Sequence, residues 1–237
     1  MPRYVLRSAP PASCRRILIV GAGGFGREVL QWTRDAWPDH AELLAGFLSD
    51  DATRLAGHDC GLAIVASVDA YVPRDGDRLL FAIGLPECRR RVAESLLARG
   101  AEFLTLVHPT AVVCPSAQIG CGSIVCPHAI VSDAARLGRF VILNWHASAA
   151  HDADVGDFAV LSPFAAVAGG ARVGAGCFLG THASLAPGRS LGAGSRVSAN
   201  SAVGVDVAAD SIAFGVPATI RRRLVPQSDQ TADEDVT

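Results

Sequence analysis

The sequence predicts a two-part fold: a small Rossmann-like α/β domain with a parallel sheet, followed by a left-handed parallel β-helix of hexapeptide repeats. Two observations predict it. Apolar strand-like runs alternate with helical segments over the first 107 residues, and a six-residue repeat continues from His108 to Val203. Parallel strands need crossover connections, so the alternation indicates a parallel sheet. A short fixed period indicates a solenoid in which each coil covers the next.

The first part begins with an apolar run over 16–20, as expected of a buried parallel strand. A glycine-rich segment, 21–26, follows it and leads into a helical stretch over 27–37. The other predicted elements are strands over 43–48, 79–83 and 103–107 and a basic amphipathic helix over 87–99.

The repeat keeps its register over sixteen units of six residues. The last position is Val, Ile or Leu in fifteen units, with Ala149 as the exception. The fourth position is Ala, Ser or Cys in fourteen, with Val141 and Arg189 as the exceptions. One unit makes one side of a triangular coil, and coils stack at strand spacing, roughly 4.8 Å. The large aliphatic and the small fourth residue are therefore expected to fill the narrow interior.

The sequence pattern and the composition divide the chain into five regions. They are a flexible leader (1–14), the Rossmann-like domain (15–107), the β-helix (108–205), a C-terminal cap (206–225) and a polar, acidic tail expected to be disordered (226–237).

Composition excludes several classes of function. The net charge of −2 gives no reason to expect binding to nucleic acid or to a membrane surface. No apolar run is long enough for membrane insertion, and the leader lacks the apolar core of a signal peptide. The seven cysteines form no CxxC pair, which disfavours a metal site. Their odd number fits reduced thiols in a cytoplasmic protein.

The repeat places one histidine–carboxylate pair outside the β-helix. His151 and Asp152 occupy the second and third positions of their unit, at a corner of the coil, so their side chains are expected to point outward. A histidine beside a carboxylate can be held in one tautomer and act as a general base. Spacing alone also allows a solvated surface pair.

A second histidine set lies on one corner. His128, His146 and His182 are separated by multiples of eighteen residues, and Phe164 and Asn200 share their ladder. Such a row could line a cleft between subunits or bind a metal. Plain packing along the ladder is the favoured interpretation, because Phe164 interrupts the row and no carboxylate lies on it.

Three segments are expected at one edge of the sheet. The turn 21–26 reads G-A-G-G-F-G, which matches the dinucleotide motif in part and could cradle phosphate on backbone N–H groups or simply form a tight turn. Asp50 and Asp51 follow the second strand, where they could contact a ribose or base or simply belong to a polar loop, and Gly84 follows another strand. Because these positions converge on one crevice, they favour a nucleotide-like ligand.

Taken together, the motifs resemble those of the hexapeptide-repeat sugar O- and N-acetyltransferases, typified by bacterial nucleotide-amino-sugar N-acetyltransferases and sialic acid O-acetyltransferases. The resemblance covers residues 16–222. The matching stretches are 21–26, 48–51, 82–84, 108–109, Asn144, 151–157 and 215–218.

The resemblance implies a homotrimer that binds acetyl-CoA, as co-substrate, between neighbouring β-helices and holds a nucleotide sugar in the N-terminal domain. It implies His151 as the catalytic base and Asp152 as its partner. The substrate contacts that it implies are Gly23, Gly24, Phe25, Asp50, Asp51 and Gly84. The acetyl-CoA contacts that it implies are Val160, Gly169, Thr181 and Ala199.

The chain departs from the family pattern at two places. Many members have histidine where this chain has Phe25. The motif at 215–218 usually continues with Lys or Arg, whereas here Thr219 follows and the basic residues stand at 221–223.

The expected function is therefore transfer of an acetyl group to the amine of a nucleotide-linked amino sugar, in cell-surface glycan or related glycoconjugate biosynthesis. An O-acetyltransferase acting on a sugar hydroxyl would have the same fold and base. A non-catalytic trimeric scaffold that binds a nucleotide sugar is the alternative from another class, and it predicts no binding of CoA.

Overall fold

A four-stranded parallel sheet precedes a three-sided coil of short parallel strands in the computed structural model, which describes residues 9–222. The two expected parts are thus confirmed. The predicted tail, the last residues of the predicted cap and the first eight residues of the predicted leader lie outside the described residues.

The N-terminal domain has the strand order β3-β2-β1-β4, with every pair parallel. Its elements are β1 (Arg16–Val20), α1 (Gly24–Ala36), a 3₁₀ helix (Pro38–Leu43), β2 (Leu44–Leu48), β3 (Ile64–Ala66), β4 (Asp77–Phe81) and α2 (Pro86–Ala98). Strand β3 and the 3₁₀ helix were not predicted from the sequence. Strand β4 also begins two residues before its predicted start, because its first residues pair with β1.

The centre of this domain is β1, whose apolar residues Ile17–Val20 are at most 1% exposed. Glycine allows α1 to start directly from the end of this strand. A Cβ on Gly26 would lie 2.9 Å from the carbonyl carbon of Gly21, which itself has φ +104°. Gly21 and Gly26, the outer glycines of the turn, therefore allow α1 to pack closely on β1.

The β-helix has three faces in which parallel strands eighteen residues apart pair in register, and the first face ends in an antiparallel hairpin. The first face contains β5 (Leu106–Val107), β8 (Ile124–Val125), β11 (Ile142–Leu143), β14 (Val160–Leu161), β17 (Phe178–Leu179), β20 (Arg196–Val197) and the terminal hairpin of β22 (Ser211–Phe214) and β23 (Thr219–Arg222). The second face contains β6 (Val112–Val113), β9 (Ile130–Val131), β12 (Ser148–Ala149), β15 (Ala166–Val167), β18 (Ser184–Leu185) and β21 (Ala202–Val203). The third face contains β7 (Gln118–Ile119), β10 (Arg136–Leu137), β13 (Asp154–Val155), β16 (Arg172–Val173) and β19 (Ser190–Leu191).

The interior follows the repeat. The aliphatic sixth residues and the small fourth residues form one continuous buried core. Val141 is accommodated there at 0% exposure, whereas Arg189 lies on the surface within 3.9 Å of Asp206. A guanidinium cannot enter a dry interior without a partner, so the coil turns this position outward.

The boundary between the two parts differs from the prediction. A strand over 103–107 that completes the first sheet is wrong: Phe103 makes a single bridge to Leu79, and Leu106–Val107 pairs with Ile124–Val125 instead. Leu106 and Val107 are apolar enough for either sheet. The β-helix therefore starts two residues before 108.

The N-terminal domain packs on the first face of the β-helix. Ile124, Ile142 and Val160, which point outward from that face, belong to the same buried cluster as the strands and α1. Four phenylalanines seal the other side of the contact with stacked and edge-on rings: Phe81, Phe103, Phe140 and Phe158.

The described residues contain no helix that is both long and apolar enough to cross a bilayer. Over the same range, no three His, Cys, Asp or Glu side chains are grouped so that they could hold a metal ion.

Candidate active site

His151 and Asp152 project from the second corner, the turn between the second and third faces. Nδ1 of His151 lies 2.9 Å from Oδ2 of Asp152, and the two side chains are 68% and 67% exposed. A carboxylate can only accept a hydrogen bond, so Nδ1 is the donor, and in the neutral imidazole Nε2 then keeps its lone pair. The pair is thus a histidine with one nitrogen held and the other available to accept a proton.

The imidazole of His151 lies directly against Gly169, as the eighteen-residue coil predicts. A Cβ on Gly169 would sit 2.5 Å from Cε1 of His151, a distance that real Cβ atoms do not adopt. Within residues 9–222 the Gly169 N–H makes no backbone hydrogen bond. Because Gly169 has no side chain, the imidazole ring can pack directly on its backbone, and the Gly169 N–H remains as a hydrogen-bond donor beside the ring.

A cleft of about 450 Å³ separates the N-terminal domain from the β-helix. Two predicted substrate contacts, Phe25 and Gly84, line it together with Val160, which was predicted to contact acetyl-CoA. Its other lining residues are Ile83, Leu85, Cys88, Ile142, Asn144, Ser162 and Phe178. The walls are mainly apolar, with the Asn144 amide and the Ser162 hydroxyl as polar exceptions.

The remaining glycines of the turn leave room for a ligand. A Cβ on Gly23 would meet nothing within 4 Å, and one on Gly24 would meet only the tip of the Arg27 side chain. Both stand where α1 begins, so the first N–H groups of the helix are directed away from the sheet edge. This is the geometry in which a helix N-terminus accepts an anion.

The two aspartates predicted beside this turn have structural partners. Oδ1 of Asp50 accepts a hydrogen bond of 2.7 Å from the Val68 N–H. Asp51 accepts from both the side chain and the backbone N–H of Thr53, which lowers the pKa of Asp51. They follow β2 at the expected edge of the sheet but do not line the cleft.

The four predicted acetyl-CoA contacts do not meet within one chain. Val160 lies in the cleft and Gly169 at the second corner, whereas Thr181 and Ala199 stack at the first corner, between the first and second faces. One side of the coil spans five or six residues, roughly 17 Å. The two corners that carry these predicted contacts are therefore separated by about this distance.

A second groove, of about 530 Å³, lies on the second face. Its walls are small and apolar: Ala166, Ala168, Ser184, Leu185, Ala186, Pro187, Ala202, Val203, Gly204, Val216 and Pro217. Ala168 precedes Gly169 in the chain, so the groove approaches the corner that carries His151.

The predicted histidine ladder is a stack of aromatic rings at the first corner. The ring centroids of His128 and His146 are 5.0 Å apart, Phe164 follows at 4.9 Å, and His182 at 4.6 Å. This spacing equals that of the coils, so ladder packing accounts for the row. Trp145 packs edge-on against Phe164, with the centroids 5.1 Å apart.

Sequence reasoning missed most of the cleft. Ser162 could have been found, because it lies eighteen residues after Asn144 and therefore one coil above it. Phe178 carries the same signal, because it lies eighteen residues after Val160 and pairs with it. Cys88 and Leu85 carry no comparable signal, since they enter the cleft through the docking of the N-terminal domain on the β-helix.

Known proteins are similar to this chain in sequence and in fold. The family described as PglD N-terminal domain matches residues 16–96. GDP-perosamine N-acetyltransferase of Escherichia coli O157:H7 is 32% identical over 114 residues, or 45% of this chain and 49% of that protein. The chain thus aligns with about half the length of this curated relative.

Two solved structures superpose over nearly their whole length. The acetyltransferase domain of PglB from Neisseria gonorrhoeae FA1090, in complex with acetyl coenzyme A, gives a TM-score of 0.79 at 28% identity, covering 87% of this chain and 98% of that chain. PerB from Caulobacter crescentus, in complex with CoA and GDP-perosamine, gives 0.79 at 31% identity, covering 87% and 97%.

The fold shared with these structures defines the class, acyltransferases built on a parallel β-helix. Within that class, the chain belongs to the sugar N-acetyltransferase family.

Proposed function

We propose that this protein transfers the acetyl group of acetyl-CoA to the amine of a nucleotide-linked amino sugar, with His151 as the general base. The observation that carries the proposal is the His151–Asp152 pair, whose Nδ1–Oδ2 distance is 2.9 Å and whose ring rests on Gly169. This pair combines an oriented base with an unused backbone donor at one point of the surface.

The reaction is a direct transfer. The acceptor nitrogen attacks the thioester carbonyl carbon, His151 Nε2 takes a proton from that nitrogen, and Asp152 stabilises the imidazolium that forms. The Gly169 N–H donates to the oxygen that becomes negative as the tetrahedral intermediate forms. Collapse breaks the C–S bond, and the CoA sulfur leaves as a thiol after receiving the proton.

The groove on the second face is the proposed binding site of the pantetheine arm of acetyl-CoA. Its lining is mainly small and apolar and includes Ala168, the residue before Gly169, beside which the thioester is needed. The PglB acetyltransferase domain, which was solved with acetyl coenzyme A and shares this fold, supports acetyl-CoA as the donor.

The cleft between the domains is the proposed acceptor site. The open turn at Gly23 and Gly24 suits the phosphates, and the apolar walls around Phe25 suit a sugar with few hydroxyl groups. GDP-perosamine is the first acceptor to test, because PerB was solved with it and the Escherichia coli relative is named for it.

The proposed assembly is a homotrimer, and the three faces differ in the way this requires. The first face lies under the N-terminal domain, and the third displays Gln118, Arg136, Asp154 and Arg172 to solvent. The second face presents Val112 and Ile130 at 49% and 43% exposure, followed by small residues on the coils above. An uncovered apolar face is typical of a subunit interface.

A trimer also brings the proposed site together. The second corner of one subunit, with His151, would approach the first corner of its neighbour, which borders the acceptor cleft through Asn144. The acetyl-CoA contacts predicted on two corners would then face one ligand between subunits.

The decisive assay measures CoA release with acetyl-CoA and GDP-perosamine, and with UDP-, dTDP- and CMP-linked amino sugars in parallel. His151→Ala is expected to lower kcat/KM by about 10²–10⁴-fold, the usual effect of losing a general base. His40→Ala is the matched control, because His40 lies in the 3₁₀ helix at the opposite end of the sheet.

Activity of His151→Ala within a few-fold of the wild type would contradict the role of His151. Acetylation of a sugar hydroxyl but of no amine would instead indicate an O-acetyltransferase. Failure to bind any CoA derivative would point to a non-catalytic scaffold.

A further inference from the structure

Arg89, in the first half of α2, is the largest fully buried side chain among the described residues. Within residues 9–222, its guanidinium donates hydrogen bonds only to backbone carbonyls. Nη1 reaches Phe81 O at 2.8 Å and Ile83 O at 2.7 Å, and Nε reaches Phe140 O at 2.7 Å. Nη2 lies 3.5 Å from Gly122 O.

No carboxylate within residues 9–222 forms a salt bridge with this cation. Burial lowers the pKa of Arg89 to about 9, so the group still carries its charge at neutral pH. The Phe81 ring, with its centroid 4.9 Å from the guanidinium carbon, provides further electrostatic compensation. A buried charge of this kind is costly, and an apolar side chain of similar volume would often serve stability as well.

The four carbonyls belong to two different parts of the molecule. Phe81 and Ile83 are at the end of β4 and in the loop after it, which runs into the cleft at Gly84. Gly122 and Phe140 are on the third corner of the β-helix, between the third and first faces. Two residues beyond Phe140, Ile142 lines the opposite wall of the same cleft.

The Arg89 guanidinium, a rigid planar group, is therefore hydrogen-bonded to both walls of the cleft. Its planar fork fixes directions as well as distances, which a lysine ammonium does not. The neighbouring Cys88 lines the cleft directly, so any shift of α2 relative to the β-helix changes its shape.

We propose that Arg89 is a positioning residue for the acceptor: it sets the separation of the two cleft walls without touching the substrate. This inference rests on the proposed function of the cleft. A residue of purely structural value would lower stability when changed but would leave the KM values of the folded enzyme alone. A positioning residue changes the KM of the ligand in the cleft selectively.

The test compares Arg89→Lys with Arg90→Lys. Arg90 is exposed on the same helix, over the Phe158 ring and outside the cleft, so its replacement controls for loss of a guanidinium on α2. Well below the melting temperature, Arg89→Lys is expected to raise the KM for the nucleotide sugar about tenfold. The KM for acetyl-CoA is expected to stay within twofold for both variants.

A second readout needs no turnover. The rate at which Cys88 reacts with a maleimide, followed by peptide mass spectrometry, is expected to rise at least threefold in Arg89→Lys. Cys60, half-buried in the N-terminal domain and away from the cleft, is the internal reference and is expected to react at an unchanged rate.

Equal KM values for the sugar in wild type and Arg89→Lys, with an unchanged Cys88 rate, would overturn the proposal. So would an Arg89→Lys protein that does not fold, because the role would then be structural. A wild-type enzyme that acetylates no sugar contradicts the proposed function instead, and the Cys88 rates still report whether Arg89 sets the cleft.

Discussion

Gly169→Ala perturbs the proposed catalytic base through a single methyl group. The added Cβ would start 2.5 Å from His151 Cε1, whereas carbon atoms in contact lie about 3.5–4.0 Å apart. Gly169 itself does not have a positive φ, so alanine causes no backbone strain there. The ring, which is 68% exposed, is expected to move outward by about 1 Å and to disturb its hydrogen bond to Asp152.

The consequence for stability is small and the consequence for catalysis is large. An exposed side-chain pair of this kind contributes about 0–1 kcal/mol, so the melting temperature is expected to change little. A displacement of about 1 Å at a reacting group costs about 10²-fold in rate, or about 2.7 kcal/mol of transition-state stabilisation. The measurements are kcat/KM for acetyl transfer and the melting temperature.

The double variant with His151→Ala tests the reasoning. If Gly169→Ala acts by displacing the imidazole, it has no further effect once the imidazole is gone, and the two losses are strongly non-additive. A Gly169→Ala enzyme with wild-type kcat/KM would refute the argument. Losses that simply add would show that the methyl group acts elsewhere, for instance on CoA.

Three further predictions concern the scaffold. Gly26→Ala places a Cβ 2.9 Å from the carbonyl carbon of Gly21, and denaturation is expected to show a loss of about 2–4 kcal/mol; unchanged stability would contradict the packing of α1. Ile130→Glu puts a charge on the exposed second face, and light scattering is expected to show monomers, whereas the same charge on the third face leaves the mass unchanged. The side chain of Asp77 is 4% exposed, and this burial by itself raises the pKa of Asp77. Hydrogen bonds from Arg16 and from the Tyr71 hydroxyl outweigh the effect of burial, so the pKa of Asp77 is lowered. The ionised Asp77 therefore stabilises the fold fully above about pH 4, and this stabilisation is lost as the pH falls further. Asp77→Asn is expected to lower the free energy of unfolding by about 2–3 kcal/mol at pH 6 and by less at pH 3. An equal loss at both pH values would contradict this.

The corner that carries His151 could be predicted in detail because a solenoid makes its tertiary contacts periodic. Residues eighteen apart are neighbours, so the sequence places Gly169 on His151 and stacks the rings of His146 and Phe164. The same rule would have added Ser162 to Asn144 in the cleft. Contacts of this kind require only that the register hold.

The cleft proposed to bind the acceptor could not be predicted in the same way. Asp50 and Asp51 follow β2 as expected, yet their carboxylates hold the loops at Val68 and Thr53 and do not line the cleft. The direction of such side chains depends on loop conformation, and the sequence has no periodic signal for it.

The sequence by itself determined the β-helix, the strand–turn–helix at 16–37 and the outward corner position of His151, because local spacing dictates each of them. Only the tertiary structure decided that the N-terminal domain covers the first face and that Leu106–Val107 joins the coil. It also decided which of three consecutive arginines, Arg89, enters the core to connect the two walls of the cleft. These choices depend on how two separate surfaces dock, and docking satisfies packing and hydrogen bonding between residues that have no fixed spacing in the chain.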